Sequence, residues 1–139
     1  MRAQGIRTSN SLKKAMLSTA VVATTVLAGG LFTASPATAE PDVRGCAWPK
    51  VCFYLSTANW ISSSPTASYQ DLTSGFQTLG SRSRGADFAY NSRNDDGAFL
   101  RFSSGITQCL PPNQFIDLGR MRASLGDVVG LRIMDSPTC

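Results

Sequence analysis

Short apolar runs, separated by turn-forming residues, dominate the pattern of residues 40–139. In the last run Leu131 and Ile133 alternate with Arg132, as in a strand with one buried face. The Asp-Asp-Gly turn signal at 95–97 predicts that the runs before and after it pair as antiparallel strands. Many short strands and little helical periodicity favour an all-β sandwich or small barrel. Six runs predict the strands, at residues 51–55, 67–72, 87–91, 98–102, 115–118 and 128–134.

A weak internal repeat refines this expectation. Phe53 and Phe99 are 46 residues apart, and so are the Asp-Leu pairs that begin at Asp71 and Asp117. Two copies of about 45 residues, each with four short strands, would form paired Greek keys packed face to face.

The first 39 residues have the pattern of a secretory signal peptide. Four basic residues precede an apolar run over 15–32, and the small residues at 37–39 then match the signal peptidase pattern. We therefore predict a signal peptide over 1–39, cleavage before Glu40 and a secreted, extracellular domain over 40–139 that has no membrane contact after cleavage. An uncleaved anchor is the alternative, since the run's 18 residues approach a spanning length.

Charge and composition exclude several functions. Of the 13 basic residues four lie in the leader, so residues 40–139 carry nine basic and nine acidic side chains, and we expect no nucleic-acid partner. The absence of His excludes Ser/His/Asp and Cys/His catalysis and imidazole-bound zinc. Apart from Asp95 and Asp96 the acids are scattered, which disfavours a carboxylate pair. We expect no enzyme, no cofactor and no metal site, a solvated arginine surface, and Trp48 and Trp60 in the core.

All four cysteines lie after the leader, and an even number in a secreted chain predicts two disulfides. Three pairings are possible. We favour Cys46–Cys52 and Cys109–Cys139, because each bridge then closes within its own half of the chain.

Several short segments resemble a known family. A leader followed by Cys46, Cys52 and Tyr54, then Phe-Leu-Arg-Phe at 99–102 and Gln-Cys-Leu at 108–110, is similar to small βγ-crystallin-like proteins secreted by actinobacteria. Among these it most resembles the Streptomyces metalloproteinase inhibitor family. The resemblance implies a disulfide-stabilised βγ-crystallin-like sandwich of two Greek-key motifs.

The same resemblance implies an inhibitor of thermolysin-like metalloproteases that acts by a rigid, substrate-like loop, with an extracellular metalloprotease as its partner. We expect the secreted protein to be a monomer. The inhibitory loop would comprise Cys109, Leu110 and Pro111. Leu110 would fill the pocket for the residue after the cleaved bond, and the disulfide and Pro111 would restrict the backbone. The residues alone also fit an ordinary strand end and turn here.

Two further expectations concern calcium binding and an alternative function. The stretches at 86–91 and 126–131 occupy the calcium-motif positions of βγ-crystallins but lack the hydroxyl ligands, so we expect no calcium site there. The alternative function is that of a non-catalytic βγ-crystallin-like binding, structural or antimicrobial protein of the cell envelope.

Overall fold

Eight strands and two short helices make up residues 41–139, the part of the chain that the computed structural model describes. The predicted signal peptide over 1–39 and its cleavage site before Glu40 lie outside the described residues. In chain order the elements are β1 (Val51–Tyr54), α1 (Thr57–Ile61), β2 (Ala67–Tyr69), β3 (Gln77–Thr78), β4 (Phe88–Asn91), β5 (Ala98–Phe102), β6 (Thr107–Leu110), β7 (Phe115–Asp117), α2 (Leu118–Leu125) and β8 (Val128–Ile133).

The strands form two antiparallel sheets of four strands each. The order is β2-β1-β4-β7 in the first sheet and β3-β8-β5-β6 in the second. The third strand of each half of the chain therefore lies in the sheet of the other half. This arrangement confirms the predicted all-β class.

One core is built from both sheets. In β5, Ala98, Leu100 and Phe102 are buried and the residues between them are partly exposed. They pack in one cluster with Phe53 of β1 and Leu131 of β8. The alternation that predicted a half-buried strand in β8 is present, since Leu131 and Ile133 are buried and Arg132 is not.

The expected pairing across the turn signal at 95–97 is wrong, because β4 and β5 lie in different sheets. The connection is anchored in the interior and crosses between the sheets. Asp96 and Arg93 are both buried and form an ion pair, and the Asn91 side chain donates to the Asp96 carbonyl at 2.8 Å. A solvated hairpin turn would leave these groups in water.

Both helices begin at side-chain caps. The hydroxyl of Ser56 accepts from the backbone N–H of Asn59 before α1, and a carboxylate oxygen of Asp117 accepts from that of Arg120 in α2. Such caps satisfy amide groups that a helix start leaves free. Neither helix in the described part is long and apolar enough to cross a membrane.

The four cysteines pair as the sequence analysis favoured. Cys46 is joined to Cys52 with a Cα separation of 5.9 Å, and Cys109 to Cys139 with one of 5.7 Å. The second bridge fastens the end of the chain to β6. Two disulfides are typical of a protein that folds in an oxidising environment.

Candidate functional site

The three residues of the predicted inhibitory loop do not form an exposed loop. Cys109 and Leu110 belong to β6, and only Pro111 follows the strand and is exposed. Leu110 is 1% exposed and pairs with Ala98 of β5. The expectation that Leu110 offers its side chain to a protease is therefore wrong, because strand pairing turns that side chain into the core.

The loop after Leu110, residues 111–114, is nevertheless held firmly. The fully buried amide nitrogen of Asn91 lies 3.3 Å from the carbonyl oxygens of both Leu110 and Pro111. On the other side of the loop the Asn113 side chain donates to that of Asn94 at 2.8 Å. These bonds fix the backbone of the loop before Phe115, whose ring is 56% exposed.

The arginines, expected to form one solvated surface, fall into separate groups. Arg93 is buried with Asp96, which corrects that expectation for this residue. Arg120 pairs with Asp117, and Arg122 bridges two carboxylates. Each of these guanidiniums has its charge balanced within the protein.

Arg101 and Arg132 differ, because they rest on aromatic rings. The guanidinium carbon of Arg101 lies 4.6 Å from the ring centre of Phe76, and that of Arg132 lies 5.6 Å from the same ring and 5.0 Å from Phe99. No carboxylate in the described residues forms an ion pair with either. We call these four side chains, with Gly130 between them, the arginine–phenylalanine face.

Strand alternation places this face on the outside of the second sheet. Phe99 and Arg101 occupy the positions of β5 that alternate with its core residues, and Arg132 stands opposite Phe99 on β8. Opposite Arg101 stands Gly130. Without a side chain at Gly130, the Arg101 guanidinium can extend over β8 to the ring of Phe76.

The face is suited to binding anions. A guanidinium has five N–H donors in a planar fork that fits a carboxylate or a phosphate, and stacking on a ring restricts its motion before a ligand arrives. Arg101 and Arg132 are both partly exposed residues, and the buried Nε of Arg132 has no hydrogen-bond partner in the described residues. Two oriented and unbalanced cations thus share one sheet surface.

A polar cleft lies on the other side of β3. It encloses about 330 Å³ between β2 and β3, the edge strands of the two sheets. Most of its lining groups are hydrogen-bonding or charged. The residues that line it are Lys50, Ser68, Tyr69, Gln70, Asp71 and Gln77.

An aromatic cluster covers the outer face of the first sheet. The ring of Trp60 is stacked on Phe88 at 5.1 Å, meets the edge of Tyr54 at 5.0 Å and lies under the guanidinium of Arg44. Burial raises the pKa of Tyr54 to about 12. The ring contacts of Trp60 leave this residue partly buried, in agreement with its expected core position. Trp48, in contrast, is 52% exposed and is not a core residue.

The described residues contain no group of three or more His, Cys, Asp or Glu side chains placed to hold a metal ion. The Asp127 carboxylate, within the second stretch that occupies a calcium-motif position, pairs with Arg122. Asp87, in the first such stretch, pairs with the same guanidinium.

No family model matches the chain, and no curated protein or solved structure matches it either. The resemblance to the inhibitor family consequently depends on the short motifs alone.

Neither the arginine–phenylalanine face nor the cleft was predicted from the sequence. The alternation in β5 and β8 indicates two outward arginines. Phe76, however, lies directly before β3, a strand that the sequence did not predict. Only the pairing of β3 with β8 brings that ring beneath both guanidiniums.

Proposed function

We propose that this protein is a secreted, non-catalytic binding protein of the cell envelope that binds anionic glycans through the arginine–phenylalanine face. The observation that carries the proposal is the pair Arg101 and Arg132, held on Phe76 with no ion-paired carboxylate among residues 41–139. Extracellular glycans that carry phosphate or carboxylate groups supply the missing negative charge. A guanidinium forms short, charge-assisted hydrogen bonds with such groups.

A polymer fits this face better than a small anion does. The face is an open sheet surface, on which a single anion would stay largely hydrated and would be weakly held. A chain with repeated negative groups engages both guanidiniums and gains from their fixed spacing. Because the nine basic and nine acidic side chains of residues 40–139 cancel, this local charge rather than the net charge provides the attraction.

The test measures binding of the purified protein to a teichoic acid, to polygalacturonate and to neutral dextran at two salt concentrations. We expect binding to the two anionic polymers that weakens with salt, and none to dextran. Replacing both arginines (Arg101→Gln, Arg132→Gln) should reduce affinity at least about tenfold, since a charge-assisted hydrogen bond contributes roughly 1.5–3 kcal/mol.

Arg84→Gln combined with Arg120→Gln is the matched control, because it removes the same two charges from exposed side chains outside the face. Unchanged affinity in this variant supports the face as the site. An equal loss in the control would show that only total charge matters. Equal binding of a single-stranded DNA oligomer would contradict recognition of glycans.

The proposal includes export and a βγ-crystallin-like fold of two Greek keys. Export is supported by the leader pattern and by the two disulfides. The exchange of the third strand between the two halves supports the Greek-key arrangement. The intact mass of the secreted protein should match a start at Glu40 and increase on reduction by the mass of four hydrogen atoms, two for each disulfide.

Protease inhibition is a second proposal, now placed on the loop at 111–114 rather than on Leu110. Its support is the set of bonds from Asn91 and Asn113 that fix this exposed loop, because a pre-organised loop loses little entropy on binding. Phe115, the first residue of β7 after the loop, supplies a large apolar side chain that is 56% exposed and lies beside the Trp60 ring at 5.2 Å.

Inhibition of a thermolysin-type enzyme tests this second proposal. If the loop is the reactive segment, Phe115→Ser should weaken inhibition about ten- to a hundredfold. Ile106→Ser is the control, because Ile106 is similarly exposed in another loop. Absence of inhibition by the unaltered protein at micromolar concentration would exclude the proposal.

A further inference from the structure

The polar cleft between β2 and β3 has the chemistry of a sugar site. Its volume of about 330 Å³ lies at the lower end of the range for small-molecule sites, about 300–1,000 Å³. Such sites are usually lined mainly by apolar groups with a few polar ones, whereas this lining is mainly polar. A ligand that fits it must itself carry many hydrogen-bonding groups.

The backbone around the cleft is fixed by the buried Arg93. Its guanidinium donates to the carbonyl oxygens of Pro49 at 2.8 Å and Gln70 at 3.1 Å, next to the strands that carry the lining residues. The side chain of Gln77 donates to the carbonyl oxygen of Asp71 at 3.3 Å and so links the two walls. The cleft is therefore formed before any ligand arrives.

The charges of the lining cancel, since Lys50 and Asp71 supply one cation and one anion. A strongly charged ligand gains nothing from such a site, whereas the hydroxyl and amide groups of a sugar can use both side chains together with the amide of Gln70. The ring of Tyr69 packs edge-on against Phe53 of the core at 5.7 Å, and its hydroxyl is bonded to Ser83 at 2.7 Å, so this side chain holds the wall of the cleft in place.

The cleft adjoins the arginine–phenylalanine face. Phe76 belongs to the face and Gln77, the next residue, lines the cleft. Consecutive Cα atoms are about 3.8 Å apart, so the two surfaces adjoin where the chain enters β3. A polymer that passes over β3 therefore meets both surfaces.

We infer that the cleft binds an uncharged sugar ring of the same glycan whose anionic groups bind the face. The inference rests on the proposed function for the identity of the polymer, but the cleft has its own ligand chemistry. It predicts that a neutral oligosaccharide binds the cleft without help from Arg101 or Arg132.

The test uses the β-1,4-linked tetramer of N-acetylglucosamine and amide chemical shifts of the isotope-labelled protein. We expect shifts at Ser68, Gln70, Asp71 and Gln77 that saturate with the sugar. Ser68→Trp should reduce the affinity at least tenfold, because Ser68 is an exposed residue of the edge strand β2 and a large ring there would fill the cleft. Ser124→Trp, on an exposed position of α2, is the matched control and should leave the affinity unchanged.

Replacing both face arginines with Gln separates the two proposals. Affinity for the neutral tetramer should stay within twofold while affinity for teichoic acid falls. Tetramer binding at the cleft with no teichoic acid binding would support the inference and overturn the proposed function. The inference is overturned if the tetramer changes no amide chemical shift in the cleft, or changes only amide chemical shifts in the face. This holds even if teichoic acid binds. Equal melting temperatures of the variants exclude unfolding as the cause.

Discussion

The side chain of Arg101 lies across Gly130, its partner on the neighbouring strand β8. A Cβ atom built on Gly130 would stand 3.2 Å from Nε of Arg101 and 3.4 Å from its Nη2. Gly130 has no positive φ that would require glycine. Glycine is therefore present at position 130 because the Arg101 side chain occupies the space that a larger side chain would need.

Gly130→Val should displace the Arg101 guanidinium from Phe76 and lower the affinity for teichoic acid about as far as Arg101→Gln does. The free energy of unfolding should change by less than about 1 kcal/mol, because valine favours strands and the flexible arginine can move away. Gly80→Val is the control, since a Cβ there meets no atom within 4 Å. Undiminished binding in Gly130→Val would show that the position of Arg101 is unimportant.

Patterns within one strand were predictable from the sequence, and pairings between distant segments were not. The alternation around Arg132 identified β8 and its outward face correctly. β6 was missed because Leu110 is its one strongly apolar side chain besides the bonded Cys109. Leu110 is buried because β6 pairs with β5, and no local sequence pattern encodes that pairing.

At the turn signal of residues 95–97, too, a tertiary contact overrides a local pattern. Asp95, Asp96 and Gly97 have the composition of a hairpin turn, which is a local preference. The buried ion pair between Asp96 and Arg93 is a tertiary contact, and it places the segment between the sheets. Charge counts alone had assigned Arg93 to the solvated surface.

Leu110→Ala should lower the free energy of unfolding by about 2–5 kcal/mol, as for other buried leucines, and Leu110→Asp should prevent stable folding. The reason is that Leu110 is 1% exposed and packs in the central cluster. Urea unfolding measures the effect. Pro111→Ala, at the exposed neighbouring position, should change stability by about 0.5 kcal/mol or less. A stable Leu110→Asp variant would show that this side chain can leave the core.

Asp96→Asn should cost about 3–5 kcal/mol, because it leaves the buried guanidinium of Arg93 without its carboxylate. The double variant Asp96→Leu with Arg93→Met should lose less than the sum of the single changes, since no unpaired charge remains. Arg120→Met breaks an exposed ion pair as the control and should cost about 0.5 kcal/mol. If the losses in free energy of unfolding from the two single changes simply add up in the double variant, Arg93 and Asp96 are not energetically coupled.

Tyr54 should make stability fall at alkaline pH. Its side chain is fully buried, and its hydroxyl donates to the carbonyl oxygen of Arg44 at 2.9 Å. Burial, followed by the nearby Asp42 and Tyr90, raises the pKa of Tyr54 to about 12, whereas a tyrosine in the unfolded chain has a pKa near 10.

Between about pH 10 and pH 12 the unfolded chain therefore releases this proton while the native protein retains it. The native state then binds more protons than the unfolded state, so the free energy of unfolding decreases as the pH rises through that range. Below about pH 10 both states are protonated and the contribution is constant.

Urea unfolding from pH 8 to pH 11.5 measures this effect in the unaltered protein and in Tyr54→Phe. The variant should lose about 1 kcal/mol at pH 8 with its hydrogen bond to Arg44, and its stability should fall less steeply above about pH 10. Tyr69→Phe also loses a hydroxyl contact but keeps Tyr54, so it should retain the steep alkaline fall. If Tyr54→Phe and the unaltered protein lose stability in parallel above pH 10, some other group titrates there and the buried hydroxyl of Tyr54 is not responsible.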